Sequence, residues 1–227
     1  MFSGISMNLG DSVIKPAPKV KNLGVYLDQH LTMEAQVRQI EKACYFQINN
    51  IYRIRKFLTL DSCKSLVQAL VTSRIDYCNA LLYGVPDKPI MKRLKKVQHS
   101  AARLVTRTLR HEHISPALKE LHWLRIPERI EYKILLLTYK AIHGAAPSYM
   151  MDMINIYRPT RPLRSGLETN TNLRLHVPKY KLEKVGGRSF TVAAPKLWNS
   201  LPDSLKMAKT VDIFKKNLKT HLFKKSF

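Results

Sequence analysis

Between Ser73 and Thr108 the chain reads SRIDYCNALLYGVPDKPIMKRLKKVQHSAARLVTRT. An apolar helix runs into a Gly84-Val85-Pro86 turn, and a helix with two opposed faces follows. Ile90, Leu94, Val97, Ala101, Leu104 and Val105 gather on one side at about 100° per residue. Lys92, Lys96, His99, Arg103, Arg107 and Arg110 gather on the other, with no acid in the stripe. At about 1.5 Å of rise per residue that stripe spans roughly 27 Å. Like charges four residues apart repel, so a face built only for solvation mixes its signs. A basic rail of this length suits a nucleic-acid backbone better than a small molecule.

Upstream, Asn8 to Ile14 and Lys19 to Asp28 read as two strands of one hairpin, with Lys15-Pro16-Ala17-Pro18 between them, because proline cannot donate to a ladder. Two strands alone are marginal in water, so this hairpin belongs to, or packs on, a larger sheet. A long helix is predicted from Thr32 to Phe57, capped by Thr32, with Val37, Ile40, Cys44, Ile48, Ile51 and Ile54 inward. A second runs from Leu60 to Leu82, capped by Thr59, with Cys63, Leu66, Val67, Leu70, Val71, Ile75 and Cys78 as its apolar set. Asp87 caps the two-faced helix and Pro89 sits in its first turn. Residues 31–110 thus read as a three-helix bundle after a β-hairpin in 1–30.

Downstream, Ser115-Pro116 opens a short helix. Pro127 opens another, ended by Gly144 and apolar on nearly all sides from Ile134 to Leu137, hence buried. Residues 145–188 read as extended segments and loops, with a hairpin around Leu173–Val177 and a hinge at Gly186-Gly187. Phe190, Leu197, Trp198 and Leu201 are apolar anchors. Thr210 to Phe223 is a basic amphipathic helix with Ile213, Phe214, Leu218 and Leu222 inward. The expected class is mainly α with a small N-terminal β-hairpin, followed by a helical, loop-rich basic region over 111–227.

Composition fits this picture. The chain has 227 residues, 45% of them hydrophobic, and a formal net charge of +23. Residues 1–87 carry net +3 and residues 88–227 carry net +20. Such asymmetry in a globular chain calls for a polyanion that relieves self-repulsion, nucleic acid first and an anionic membrane second. The tail helix lacks the Trp-rich apolar face of a membrane binder, and no run of 18 apolar residues occurs. There is no signal-peptide pattern. Cys44, Cys63 and Cys78 have no short paired spacing, which indicates a reducing intracellular compartment, cytoplasm or nucleus, with cysteine used as a small hydrophobe.

Catalytic chemistry is not in evidence. His111-Glu112-His113, with His99 and His122 nearby, lacks a third ligand at metal spacing. Neither Gly-x-Ser-x-Gly nor a phosphate-cradling glycine loop occurs. Two-metal phosphoryl transfer needs clustered carboxylates, and the eight aspartates are scattered. Asp76, inside a helical run, reads as the partner of a nearby base. No cofactor is expected. Tyr157, Tyr180, Phe190 and Trp198 interleave Arg158, Arg161, Arg164, Lys179 and Lys181. Such aromatics stack on bases in single-strand binders, although Phe190 and Trp198 read better as core anchors.

A set of short motifs carries a family resemblance. They are Val20-Lys-Asn-Leu-Gly-Val-Tyr-Leu-Asp28, Ser73-Arg-Ile-Asp-Tyr-Cys-Asn-Ala-Leu-Leu82, Val97-Gln-His-Ser-Ala-Ala-Arg-Leu104 and Leu121-His-Trp-Leu-Arg-Ile-Pro127. Further along come Leu135-Leu-Leu-Thr-Tyr-Lys-Ala-Ile-His-Gly144, Ala146-Pro-Ser-Tyr149, Ala194-Pro-Lys-Leu-Trp-Asn-Ser-Leu-Pro202 and Phe214-Lys-Lys216. In this order they resemble the C-terminal part of the reverse transcriptase of non-LTR (LINE-type, jockey-like) retrotransposons, over nearly the whole chain. The resemblance implies that the Leu23-Gly24-Val25 strand supports a primer end and that 31–110 is a polymerase thumb tracking template–primer duplex. It implies that the remainder binds RNA. The family's aromatic-Ala-Asp-Asp box has no match, so no catalytic residue carries over. The chain then stands downstream of the palm and fingers, as a truncated reading frame or fragment.

The expectation is a non-catalytic binding module for RNA or RNA–DNA hybrid. Its candidate contacts are Lys92, Lys96, His99, Arg103, Arg107, Arg110, Arg158, Arg161, Arg164, Lys179 and Lys181. The rival expectations are a scaffold that meets acidic protein and a decayed remnant without selected function.

Overall fold

The computed structural model describes residues 6–85, 88–157, 174–183 and 185–227. Their architecture is mainly helical, with two small antiparallel strand pairs at the N-terminus. The strands are β1 (Met7–Leu9), β2 (Ser12–Ile14), β3 (Lys19–Asn22) and β4 (Val25–Asp28). β1 pairs with β2 and β3 with β4, so each stretch expected to be one strand is itself a hairpin. The cause lies in the turns. Gly10 has φ 59°, and Leu23 and Gly24 have φ 46° and 81°. Two successive positive φ values give a tight turn whose twist matches the flanking strands.

Only β4 has a residue buried in the core, Val25. The Tyr26 N–H donates to Gln36 Oε1 (2.9 Å), and the Tyr77 hydroxyl donates to the Leu23 carbonyl (2.6 Å). The second hairpin is thereby held from both sides. The first is exposed throughout.

α1 (Glu34–Ile54) follows, then a 3₁₀ turn at Arg55–Phe57. It starts two residues later than Thr32 because Met33 is left-handed (φ 64°). The Asp28 carboxylate takes the N–H groups of His30, Thr32 and Met33, and Thr32 Oγ1 accepts from Glu34 N–H. Thr32 therefore shares the capping with Asp28. The inward face is as expected from Val37 to Ile51, but Ile54 is exposed, because the chain leaves the α-helix there.

α2 (Leu60–Val67) is capped by Thr59, which accepts from Ser62 N–H at 3.1 Å. The predicted single helix to Leu82 does not hold. A π-helical stretch, Gln68–Thr72, leads to α3 (Ser73–Asp76), and Cys78 at φ 51° turns the chain into a 3₁₀ turn at Asn79–Leu82. Cys78 is accordingly exposed, while Cys63, Val67, Val71 and Ile75 are buried. α4 (Lys88–Thr106) buries all six apolar residues assigned to its inner face. It packs on α1 and α2. Arg55 is buried against its C-terminal end, donating from Nε to the Leu104 carbonyl and from Nη2 to the Val105 carbonyl, both at 2.8 Å. Those carbonyls would otherwise be orphaned at the helix end. The cap expected from Asp87 lies outside the described residues.

α5 (Ile114–Glu120) and α6 (Ile126–Ile142) follow. No residue of α6 is exposed. Its first half joins the core of α1, α2 and α4; Leu135 and Tyr139 join a second core. The 110/111 boundary between expected domains therefore does not separate the two cores. α7 (Ser148–Asp152) is followed by an extended pairing of Ile156 with Leu175. The strand near Leu175 thus pairs with a distant segment rather than forming a local hairpin.

Gly186-Gly187, expected as a hinge, takes a defined turn. It forms a 3₁₀ turn, Gly186–Arg188, in which a Cβ at Gly187 would stand 2.8 Å from the Glu183 carboxylate. Arg188 donates to the carbonyls of Leu31 (2.9 Å), Tyr83 (3.1 Å) and Leu81 (3.2 Å), tying three segments together. α8 (Phe190–Asn199), α9 (Asp203–Lys206) and α10 (Val211–Ser226) close the second core around Trp198, Tyr139 and Phe214. Tyr139 and Phe214 stack at 4.2 Å, and the Tyr139 hydroxyl donates to the Ala208 carbonyl at 2.6 Å. Thr210 caps α10 through Ile213 N–H, which leaves Ile213 facing out rather than in. Among the described residues no helix is long and apolar enough to cross a membrane.

Candidate nucleic-acid interface

The outer face of α4 is basic because its inner face is committed to the core. Lys92, Lys95 and Lys96 are exposed there. Lys92 and Lys96 border a shallow hollow together with Glu41, Pro89 and Arg93. Glu41 is the acid of that hollow, and Arg93 occupies it at 3.0 Å. Lys92, Lys95 and Lys96 form no ion pair among the described residues, so their charges face solvent uncompensated. Lys95 was not among the expected contacts, although it lies only about 60° from Lys92 around the helix at about 100° per residue.

Further along, the rail changes. His99 is half-buried, and burial, with Arg103, Arg125 and Lys95 around it, holds its pKa below the ordinary histidine value. A neutral His99 contributes shape rather than charge at neutral pH. Arg103 reaches back to the carbonyls of Leu109 (3.2 Å) and Glu112 (3.0 Å). It organises the loop after the helix. Arg107 has φ 58°, one residue past the helix end. Arg107 and Arg110 are therefore exposed loop residues, not members of a helical stripe. On the helix itself the basic stripe runs from Lys92 to Arg103, roughly 17 Å at about 1.5 Å per residue, and the loop carries the rest. A single residue in the left-handed region leaves no periodic signature in a sequence.

His111 and His113 lie exposed in that loop, and Glu112 accepts from Leu109 N–H at 2.6 Å. Among the described residues no three His, Cys, Asp or Glu gather as a metal site. Asp76 pairs with Arg129 at 2.7 Å, as its place in a helical run suggested. Cys44 and Cys63 are buried. Burial pushes the Cys44 thiol up to about 11 against a weak opposing pull from Arg74.

Lys179 and Lys181 are exposed on a separate segment, on either side of Tyr180. The Tyr180 ring is half-buried, and Lys196 Nζ donates to its hydroxyl at 2.6 Å. That ring is a structural anchor. Trp198 is fully buried, Phe190 half-buried and Tyr157 exposed. Arg158, Arg161 and Arg164 lie outside the described residues. Compared with known proteins, the chain matches no family model, no curated protein and no solved structure.

Proposed function

We propose that this chain is a non-catalytic module that binds RNA or RNA–DNA hybrid through backbone charge, as the thumb and C-terminal part of a retroelement reverse transcriptase would. The observation that carries the reading is the uncompensated cation surface. The chain has 39 Lys and Arg against 16 Asp and Glu. On α4 and its following loop, Lys92, Lys95, Lys96, Arg107 and Arg110 stand exposed without an acid partner among the described residues. Phosphate contacts of this kind position a duplex without reading its sequence.

The test is fluorescence anisotropy with labelled RNA, RNA–DNA hybrid and single-stranded DNA over a range of salt. About five phosphate contacts give a log–log salt slope of roughly −4. Charge reversal at Lys92, Lys95, Lys96 and Arg107 is expected to flatten that slope. Arg103 is left alone because its removal would release the loop. A flat salt dependence in the parent chain sinks the reading.

A partner surface is favoured by a second observation. Met7, Leu9, Val13, Ile14, Val20 and Leu23 are large apolar side chains of the two hairpins, all exposed. Scattered apolar residues are ordinary, but a group on paired strands marks a contact face. The palm and fingers of a parent polymerase are the partner this reading implies. A nuclease-resistant complex with an acidic protein would favour a scaffold role instead.

A further inference from the structure

A hollow of about 760 Å³ in the described structure is lined by no residue of α4. Three parts of the chain, distant in sequence, meet around it. α2 and the π-helical stretch form one wall, and the turn from Leu121 to Leu124 with α6 forms the other. α10 closes the mouth. Each part supplies a lysine: Lys64, Lys133 and Lys219. The one acid on the lining, Asp76, is already neutralised by Arg129. Three lysines therefore line the hollow with no competing carboxylate, while Leu121, Trp123 and Tyr132 give it apolar and aromatic lining.

Two backbone features mark the same place. The Gln68–Thr72 stretch is π-helical, a form that collects at functional sites. His122, exposed at the rim, is held at φ 52°, a left-handed conformation that a residue with a side chain adopts at some cost. Deeper in, Asn79 Oδ1 is buried with no hydrogen-bond partner. A buried acceptor without a donor calls for an explanation in its surroundings.

Cations at the mouth select an anionic group. An apolar and aromatic wall suits a ring. We propose that this cleft holds a single nucleotide, its phosphate on Lys64, Lys133 and Lys219 and its base against Tyr132 and Leu121. Its volume falls within the roughly 300–1,000 Å³ usual for small-ligand sites. The nucleotide comes either free or as one unit of a bound strand, and only the second source rests on the nucleic-acid reading above.

The test is calorimetric titration of the full chain with AMP, ribose 5-phosphate, adenosine and inorganic phosphate at fixed salt. AMP is expected to bind saturably, at least tenfold more tightly than any of the three fragments. The double variant Lys64→Glu/Lys219→Glu, both exposed positions, is expected to weaken AMP at least tenfold with an unchanged circular dichroism spectrum. Tyr132→Ala should weaken AMP and leave ribose 5-phosphate where it was. Displacement of AMP by an RNA oligonucleotide assigns the site to a strand; simultaneous binding assigns it to free nucleotide. Equal binding of AMP and inorganic phosphate, or AMP binding untouched by the double variant, overturns the site. If RNA binds with a steep salt slope but AMP does not bind, the cleft fails and the backbone-charge reading stands. If AMP binds and RNA does not, the reverse holds.

Discussion

Asp28 joins the second hairpin to the first helix through one carboxylate. Burial works to raise its pKa, but hydrogen bonds from Thr32, Met33 and His30 together outweigh it and hold the value below 3.8. A carboxyl whose folded pKa is depressed stabilises the fold above its unfolded value and loses that contribution as pH falls through the folded one. Asp28→Ala is expected to cost about 1 kcal/mol at pH 7, the usual worth of a helix cap. Urea unfolding of parent and variant down the acid limb should show the difference shrinking to nothing once the carboxylate is protonated. A difference that persists there would mean that packing, not charge, does the work. The cysteines make a second residue-scale case. Cys44 and Cys63 are buried with raised pKa values, and Cys78 is exposed. Since the thiolate is the reactive form, a disulfide reagent near pH 8 should titrate one thiol promptly in the native chain and three in urea. Prompt reaction of two or three would show that the first core opens locally.

Among the elements, α10 is the plainest to test. Phe214, Leu218 and Leu222 face one way and are all buried, and Phe214 stacks on Tyr139 beside Trp198. Phe214→Ala should cost about 3–5 kcal/mol, the range for losing a buried aromatic ring. Trp198 emission should shift red at lower denaturant than in the parent. An unchanged midpoint would mean the tail is only loosely docked. This helix is legible because its buried apolar residues recur every four positions, α4 because its own recur every three or four, and α6 because it is apolar nearly all round. What the sequence hid has a common cause. The hairpin turns at Gly10 and at Leu23-Gly24, the reversal at Cys78 and the helix end at Arg107 all depend on one or two positive-φ residues, and these carry no period. Ile213 looked inward because apolarity was read without fixing the rotation of the helix. The rail was visible as a pattern on α4, but its last two members had already left the helix. The cleft of Lys64, Lys133 and Lys219 was not legible at all, since tertiary packing alone brings those residues together.

For the molecule as a whole, charge is the dominant unpaired quantity. A net charge of +23 stands against seven ion pairs among the described residues, several of them between exposed side chains. Exposed pairs contribute little, about 0–1 kcal/mol each. Self-repulsion acts over the whole surface and opposes the compact state. Screening should therefore help the fold more than it harms it. The Debye length falls from about 10 Å at 0.1 M salt to about 3 Å at 1 M, which weakens the long-range repulsion first. Raising sodium chloride over that range is expected to raise Tm, and each 1 kcal/mol gained should appear as about 2–4 °C in a chain of this size. Charge reversal at Lys92, Lys95, Lys96 and Arg107 lowers the net charge by eight, so the variant should start with a higher Tm at low salt and gain less from added salt. Short RNA at low salt should reproduce the stabilisation in the parent and lose it as salt rises, because binding and screening relieve the same repulsion. A parent Tm that falls with salt would show instead that specific ion pairs such as Arg129 with Asp76 hold the molecule together. The uncompensated surface would then be incidental to its stability.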